Sequence, residues 1–140
     1  MAEIIIIPAL VVGAVIGLYE SILLHRDVTV PTHRFGHTLH AFVYAIIAVF
    51  ITMNTGFVYS TFSFLHQVPF LEHAIVFQIA IGLITVVKIH GTSYAIRSRF
   101  GMASTGMAET WTHSLLVGAL VVAAPYAWPF IEPMLPAWLK

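Results

Sequence analysis

Long apolar stretches alternate with short polar ones along the chain, and four of the stretches are long enough to cross a membrane. They cover residues 4–24, 35–59, 70–89 and 107–127. A spanning helix needs about 20 mostly apolar residues, and backbone groups in lipid must be hydrogen-bonded within such a helix. The pattern therefore predicts an all-α membrane protein, with four transmembrane helices packed as a bundle into one domain over residues 1–140.

Prolines and hydroxyl residues mark the predicted helix ends. Pro31 suits the first turn of the second helix, which then begins a few residues before its apolar stretch, and Pro69 suits the start of the third. Ser104 or Thr105 suits the N-cap of the fourth helix. Four prolines near the C-terminus mark the end of the fourth helix and an irregular tail: Pro125, Pro129, Pro133 and Pro136.

The basic residues predict which helix ends face the cytoplasm. Arg26 and Arg34 lie in the first connection, and Arg97 and Arg99 lie in the third, with Lys88 at its edge. The second connection and the segment before the first helix contain no Lys or Arg. Because loops rich in Lys and Arg stay on the cytoplasmic side, we expect a plasma- or inner-membrane protein with the first and third connections in the cytoplasm. Both termini then lie outside.

Composition agrees with this location and excludes several function classes. Hydrophobic residues make up 59% of the chain and charged residues 9%, whereas soluble domains contain about 45–50% and about 25%. The formal net charge of zero provides no basic surface for nucleic acid. The absence of cysteine excludes a disulfide scaffold and thiol chemistry. The first expected partner is therefore the lipid bilayer.

The eight histidines outnumber Lys and Arg together, and several of them share helix faces. One stripe of the predicted second helix holds three of them and a phenol: His33, His37, His40 and Tyr44. Their spacing of i, i+4, i+7 and i+11 places them on one face. In the fourth helix Glu109 and His113 are four residues apart and share a face in the same way.

These side chains predict a metal or haem site at the cytoplasmic end of the bundle. Imidazole and carboxylate groups bind several transition metals, and helix bundles hold such sites between facing helices. The candidate ligands are His33, His37, His40, His90, Glu109 and His113. Iron, copper or zinc suits this set, and His40 with His113 is the first choice of axial pair for haem b. Electron transfer or metal-dependent redox chemistry would follow, and whether the protein is an enzyme stays open.

Glu20 lies inside the apolar run of the first helix, where an ionisable residue is usually functional. Together with His25 and Tyr44, it is a candidate for a proton relay, or for a group that orients the metal ligands by hydrogen-bonding to them. Simpler interpretations stay open as well. A histidine near a helix end is often only solvated, and a buried carboxyl group is stable when it is protonated or hydrogen-bonded to a neighbouring helix.

Gly13 and Gly17 form a GxxxG motif, which lets two helices approach closely. The partner is another helix of the bundle, another copy of the chain or another subunit. Asn54, Gln78 and Thr85 are single polar residues in apolar runs, and we expect them to form hydrogen bonds between helices.

Three functions therefore remain open on the sequence. The first is the metal- or haem-binding redox protein. The second is a non-catalytic accessory subunit, acting in a homo-oligomer or with other membrane subunits. The third is a proton or cation pathway that uses the histidines and Glu20.

Overall fold

A computed structural model describes residues 4–27, 31–99 and 110–139, and leaves the side chains of residues 24, 26, 27, 31–37 and 92–99 outside the description. All of the regular secondary structure in the described residues is helical. Its α-helices are α1 (Ile7–Asp27), α2 (Pro31–Met53), α3 (Thr55–Thr61), α4 (Ala74–Arg99) and α5 (Trp111–Ile131). Short 3₁₀ helices cover Ser63–Gln67, Glu132–Met134 and Ala137–Leu139.

The four long helices pack as two antiparallel hairpins, α1 with α2 and α4 with α5, and α5 also contacts α1 and α2. Five of the six Lys and Arg residues lie towards the end at which α1 and α4 finish and α2 and α5 begin. We call this the basic end of the bundle, and the other the opposite end. Between them the side chains of Val49, Val117 and Val121 are completely buried.

The GxxxG motif of α1 lies against α2 of the same chain. A Cβ atom on Gly13 would lie 2.7 Å from the Cα atom of Ile46, and one on Gly17 would lie 3.1 Å from the Cα atom of Phe42. Any larger residue at either position would therefore push the two helices apart. Of the three partners expected for this motif, the structure shows another helix of the bundle.

The second predicted span, residues 35–59, is not one straight helix. The chain bends by 84° between α2 and α3, and Asn54 stands at the bend with φ −112° and ψ 40°, outside the helical region. As expected from the sequence, α2 begins at Pro31, before the apolar stretch. Hydropathy could not reveal the bend, because residues on both sides of it are apolar.

The side chain of Asn54 explains why the helix breaks there. Its amide nitrogen donates to Phe50 O (2.9 Å) and to Ile5 O (3.0 Å), and its amide oxygen accepts from the backbone N–H of Ile5 (2.6 Å). Side-chain amides that bond to backbone groups compete with the continuation of a helix. Asn54 thus ties the segment before α1 to the end of α2, which is a bond to a non-helical residue and not the predicted bond between helices.

The third predicted span, residues 70–89, differs at both ends from α4, the helix that the structure shows there. The helix α4 begins at Ala74 and continues to Arg99. Pro69 does not open it, because the next residue, Phe70, has a φ of 71°, a left-handed backbone conformation that cannot belong to a right-handed helix.

The fourth predicted span, residues 107–127, begins outside the described residues, and so do its predicted N-caps, Ser104 and Thr105. The N-cap that the structure shows is Thr110, whose side chain accepts a hydrogen bond from the backbone N–H of His113 at 3.3 Å. Hydroxyl residues are preferred there because they satisfy an N–H group that the helix itself leaves unpaired.

The fourth helix continues past its predicted end at residue 127, because α5 runs through Pro125 and Pro129 to Ile131. A proline inside a helix leaves the carbonyl four residues earlier without its N–H donor. For Pro125 this carbonyl is Val121 O, and the Thr52 hydroxyl of α2 lies 3.1 Å from it. A neighbouring helix thus supplies the missing donor, which is how transmembrane helices tolerate internal prolines.

Two described helices are long and apolar enough to cross a membrane: Ala74–Gly91 within α4, and Trp111–Met134, formed by α5 and the turn after it. The bent pair Thr38–Met53 and Thr55–Thr61 is a third candidate. The described apolar stretch of α1, Ile7–Leu23, is shorter. The chain is therefore an all-helical protein with two to three candidate membrane spans, and the number four stays a prediction.

Candidate functional site

Near the basic end, α2 and α4 bring a lysine and a histidine into direct contact. Lys88 Nζ lies 2.6 Å from His40 Nε2. A lysine ammonium group can only donate hydrogen bonds, so when Lys88 is charged, His40 Nε2 is the acceptor and carries a lone pair. The side chain of His40 is exposed and Lys88 is half-buried, so the pair leads from the surface of the bundle towards its interior.

Tyr44 adds a second interaction to the same lysine. Lys88 Nζ lies 3.8 Å from the centre of the Tyr44 ring, a distance at which the electron-rich ring face attracts a cation. His40 and Tyr44 are one helical turn apart on α2, and both contact Lys88. The sequence expectation that these two residues share a face is therefore confirmed, while the side chains of His33 and His37 lie outside the described residues.

Thr85 of α4 lies beside Tyr44. Thr85 is completely buried, and its own hydroxyl donates to Ile81 O at 2.9 Å. The hydroxyl groups of Tyr44 and Thr85 are close enough to interact. Thr85 thus adds a buried hydroxyl group from α4 to the side chains around Lys88.

Glu20 is the carboxyl group of this region. It is 2% exposed, and it lies near enough to the Tyr44 hydroxyl for the two groups to interact electrostatically. It lies seven residues before the end of α1, which is about 10 Å along the helix axis. Three helices thus contribute to one group of side chains, which we call the Lys88 cluster: Glu20, His40, Tyr44, Thr85 and Lys88.

The other candidate relay residue, His25, lies apart from these contacts. Its Nδ1 atom is 2.8 Å from Ser21 O, one turn earlier in α1, and the hydroxyl of Ser21 donates to Gly17 O at 2.8 Å. Histidine near the C-terminus of a helix commonly bonds to the last carbonyls in this way. The described contact of His25 therefore stabilises the C-terminal end of α1.

The remaining candidate ligands lie where α4 approaches the start of α5. His90 stacks on Trp111, with ring centres 3.7 Å apart and planes inclined by 22°. Its Nδ1 atom is buried and has no hydrogen-bond partner among the described residues. His113 is 2% exposed, and Glu109 lies outside the described residues. His113 is therefore buried, His90 packs against the indole ring of Trp111, and His40 Nε2 contacts Lys88 Nζ.

No described group of three His, Asp or Glu side chains is close enough together to hold a metal ion. Three of the six expected ligands, His33, His37 and Glu109, fall outside the described side chains, so the complete predicted set is not tested. The metal site therefore stays a prediction.

A second group of polar side chains lies at the opposite end of the bundle. Gln78 Nε2 donates to Thr52 O at 3.0 Å, and Gln78 Oε1 accepts from the hydroxyl of Tyr126 at 2.6 Å. Gln78 is buried and Tyr126 is half exposed. One amide thus joins α2, α4 and α5 beside the bend, which confirms the expectation of hydrogen bonds between helices.

The sequence interpretation missed Lys88, which it treated only as a member of the basic third connection. A signal was present, because Lys88 is the one charged residue in the apolar stretch Ala74–Gly91. The same criterion singles out Glu20 in the first helix. What the sequence could not provide is the register between α2 and α4, which places Lys88 beside His40.

Comparisons with known proteins do not extend this picture. The chain matches no protein-family model, no curated protein and no solved structure.

Proposed function

We propose that the protein is a four-span membrane protein that carries protons, and that the Lys88 cluster forms the cytoplasmic part of the path. The four spans are α1, α2, α4 and α5, with both termini outside and the basic end in the cytoplasm. The lengths of α1 and α2, the two helices least certain to cross the membrane, support this arrangement. With 21 residues in α1 and 23 in α2, each helix is over 30 Å long at about 1.5 Å per residue, enough for a hydrocarbon core of about 30 Å.

The short contact between Lys88 and His40 supports this function best. At 2.6 Å between Nζ and Nε2, a single proton lies between two basic nitrogens, and either nitrogen can hold it. The other ring nitrogen of His40 would then exchange a proton with water at the basic end of the bundle, near which this exposed side chain lies.

The order in which the side chains of the Lys88 cluster are buried gives the proposed proton path a direction. His40 is exposed, Lys88 and Tyr44 are half-buried, and Glu20 is almost completely buried. A proton taken up at His40 has successively deeper groups to move to, and the carboxyl group is the deepest of them. Ionisable residues in membrane segments are costly to bury and typically mark such pathways.

A dry layer separates the Lys88 cluster from the polar group at the opposite end. Along α2, the residues between Tyr44 and Thr52 include Ala48 (2% exposed) and Val49 (0% exposed). Neither side chain has a polar group that could pass on a proton. Conduction across the whole bundle therefore requires water to enter this layer, and we expect a slow, gated flux rather than an open channel.

Purified protein in liposomes tests the proposal. With a pH-sensitive dye inside and a potassium gradient with valinomycin to set the potential, wild-type protein should produce proton flux that Glu20→Gln abolishes. Glu72→Gln is the matched control, because its carboxyl group is 58% exposed and lies outside the cluster, so flux should be unchanged. Absence of flux from folded wild-type protein at every pH and potential would refute the proposal.

A further inference from the structure

The segment between α2 and α4 leaves three phenylalanine side chains largely exposed, and two of them, Phe62 and Phe64, pack edge-to-face on each other. Phe62, Phe64 and Phe70 are 50%, 57% and 71% exposed. Tyr59 links the two ends of the segment, because its hydroxyl donates to Leu71 O and its ring lies 5.3 Å from the ring of Phe77. The exposed phenylalanines are therefore presented by a fixed scaffold.

The direction of this segment distinguishes it from a membrane span. The helix α3 is inclined by 84° to α2. Because α2 alone, with 23 residues, is long enough to cross the hydrocarbon core, the chain has no need of α3 to complete the crossing. A helix perpendicular to a spanning helix lies in the plane of the membrane surface.

Backbone strain points to Phe70 in particular. Its φ of 71° makes it the one positive-φ residue other than glycine among the described residues. A bulky side chain is unfavourable in this conformation, and such strain persists where the surrounding structure imposes it, often at a functional position. Here the strained residue is also the most exposed of the three rings.

The polar residues of the segment are compatible with the lipid boundary. The hydroxyl groups of Ser60 and Thr61 both donate to Phe57 O, at 2.8 and 2.9 Å, so their donors are satisfied without water, as contact with lipid requires. From residue 60 to residue 71 the sequence has no Lys, Arg, Asp or Glu. Charge returns at Glu72, which is 58% exposed, beside His73, which is 64% exposed.

We propose that residues 55–71 form an interfacial anchor, which inserts Phe62, Phe64 and Phe70 into the outer leaflet at the boundary between headgroups and acyl chains. The occupant of this apolar surface is lipid. Glu72 and His73 stand at its edge and face the aqueous side of the headgroups. This assignment depends on the membrane location of the chain but not on proton transport.

Site-specific fluorescence tests the anchor. Since the chain has no cysteine, Phe64→Cys and Phe70→Cys each provide one site for an environment-sensitive NBD label, and His73→Cys is the control three residues beyond Phe70. In phosphatidylcholine liposomes, lipids with a doxyl group near the headgroup should quench labels at 64 and 70 several-fold more than the label at 73. Aqueous iodide should show the reverse order.

Two results would overturn the anchor. Labels at positions 64 and 70 that iodide quenches as strongly as the label at 73 would show that the segment stands in water. Labels shielded from both quenchers, with energy transfer between labelled copies, would show that a second copy of the chain covers the surface. Proton flux measured on the same preparations reports separately on the proposed function.

Discussion

The hydroxyl oxygen of Thr52 lies 3.1 Å from the backbone oxygen of Val121, the carbonyl that Pro125 deprives of its helical donor. The same hydroxyl is also 3.1 Å from Val49 O in its own helix, so its proton is shared between α2 and α5. Thr52 is completely buried, and no water can replace it. One side chain of α2 thus makes an internal proline of α5 tolerable.

Replacing Thr52 by the similarly shaped valine should therefore destabilise the bundle by about 1 kcal/mol, the usual scale of a hydrogen bond between membrane helices. Thr61→Val is the control, because the Thr61 hydroxyl bonds within its own helix and the side chain is exposed. Unfolding in mixed micelles with increasing dodecyl sulfate measures both variants. Equal stability of the two would show that Val121 O does not need this donor.

Gly13→Ala should weaken the contact between α1 and α2, because its Cβ atom would lie 2.7 Å from a backbone atom of Ile46. Overpacking of this kind typically costs about 1–3 kcal/mol. Gly91→Ala offers a matched control in α4, since no heavy atom lies within 4 Å of the added methyl group. We expect this control to be neutral or slightly stabilising, as measured by the same unfolding experiment. A loss of stability in Gly91→Ala as large as in Gly13→Ala would contradict this interpretation.

The ring and the hydroxyl of Tyr44 have separable effects. Tyr44→Phe keeps the aromatic face beside Lys88 and removes only the hydroxyl group, whereas Tyr44→Leu removes both. The leucine variant should be less stable than the phenylalanine variant by about 0.5–2 kcal/mol, the range of a cation–π interaction. Thermal unfolding in detergent compares the two, and equal stability would mean that the ring does not stabilise the Lys88 ammonium group.

Val49→Thr should increase proton flux, since it places a hydroxyl group in the dry layer at nearly constant volume. Val87→Thr, at a position that is 67% exposed on α4, makes the same chemical change on the outer face and should leave flux unchanged. The liposome assay measures both variants against wild type. Unaltered flux in Val49→Thr would show that this layer is not the barrier.

The metal- or haem-binding hypothesis has its own test. It expects purified protein to contain stoichiometric iron, copper or zinc, or to show a haem Soret band, and expects the double change His40→Ala with His113→Ala to abolish that signal. Elemental analysis and an optical spectrum of protein from its native membrane measure both. Colourless, metal-free protein with unchanged folding would contradict the hypothesis and leave the proton pathway standing.

The sequence alone determined the class of this protein and the approximate position of its helices. Long apolar runs cannot remain in water and form helices in lipid, so their presence is decided locally, residue by residue. The same local reasoning identified Glu20, because one ionisable group in an apolar run is conspicuous without any structure. It also placed His40 and Tyr44 on one face, since helical periodicity requires it.

Only the tertiary structure decided which of these groups meet and where the helices deviate from the hydropathy pattern. Lys88 reaches His40 because close packing sets the register between α2 and α4, and no local pattern encodes that register. The bend at Asn54 depends on its bonds to Ile5, 49 residues away, and the continuation of α5 through Pro125 depends on Thr52 of another helix. Each of these features is a hydrogen bond or contact between segments distant in sequence, whose energy exists only once the bundle has formed.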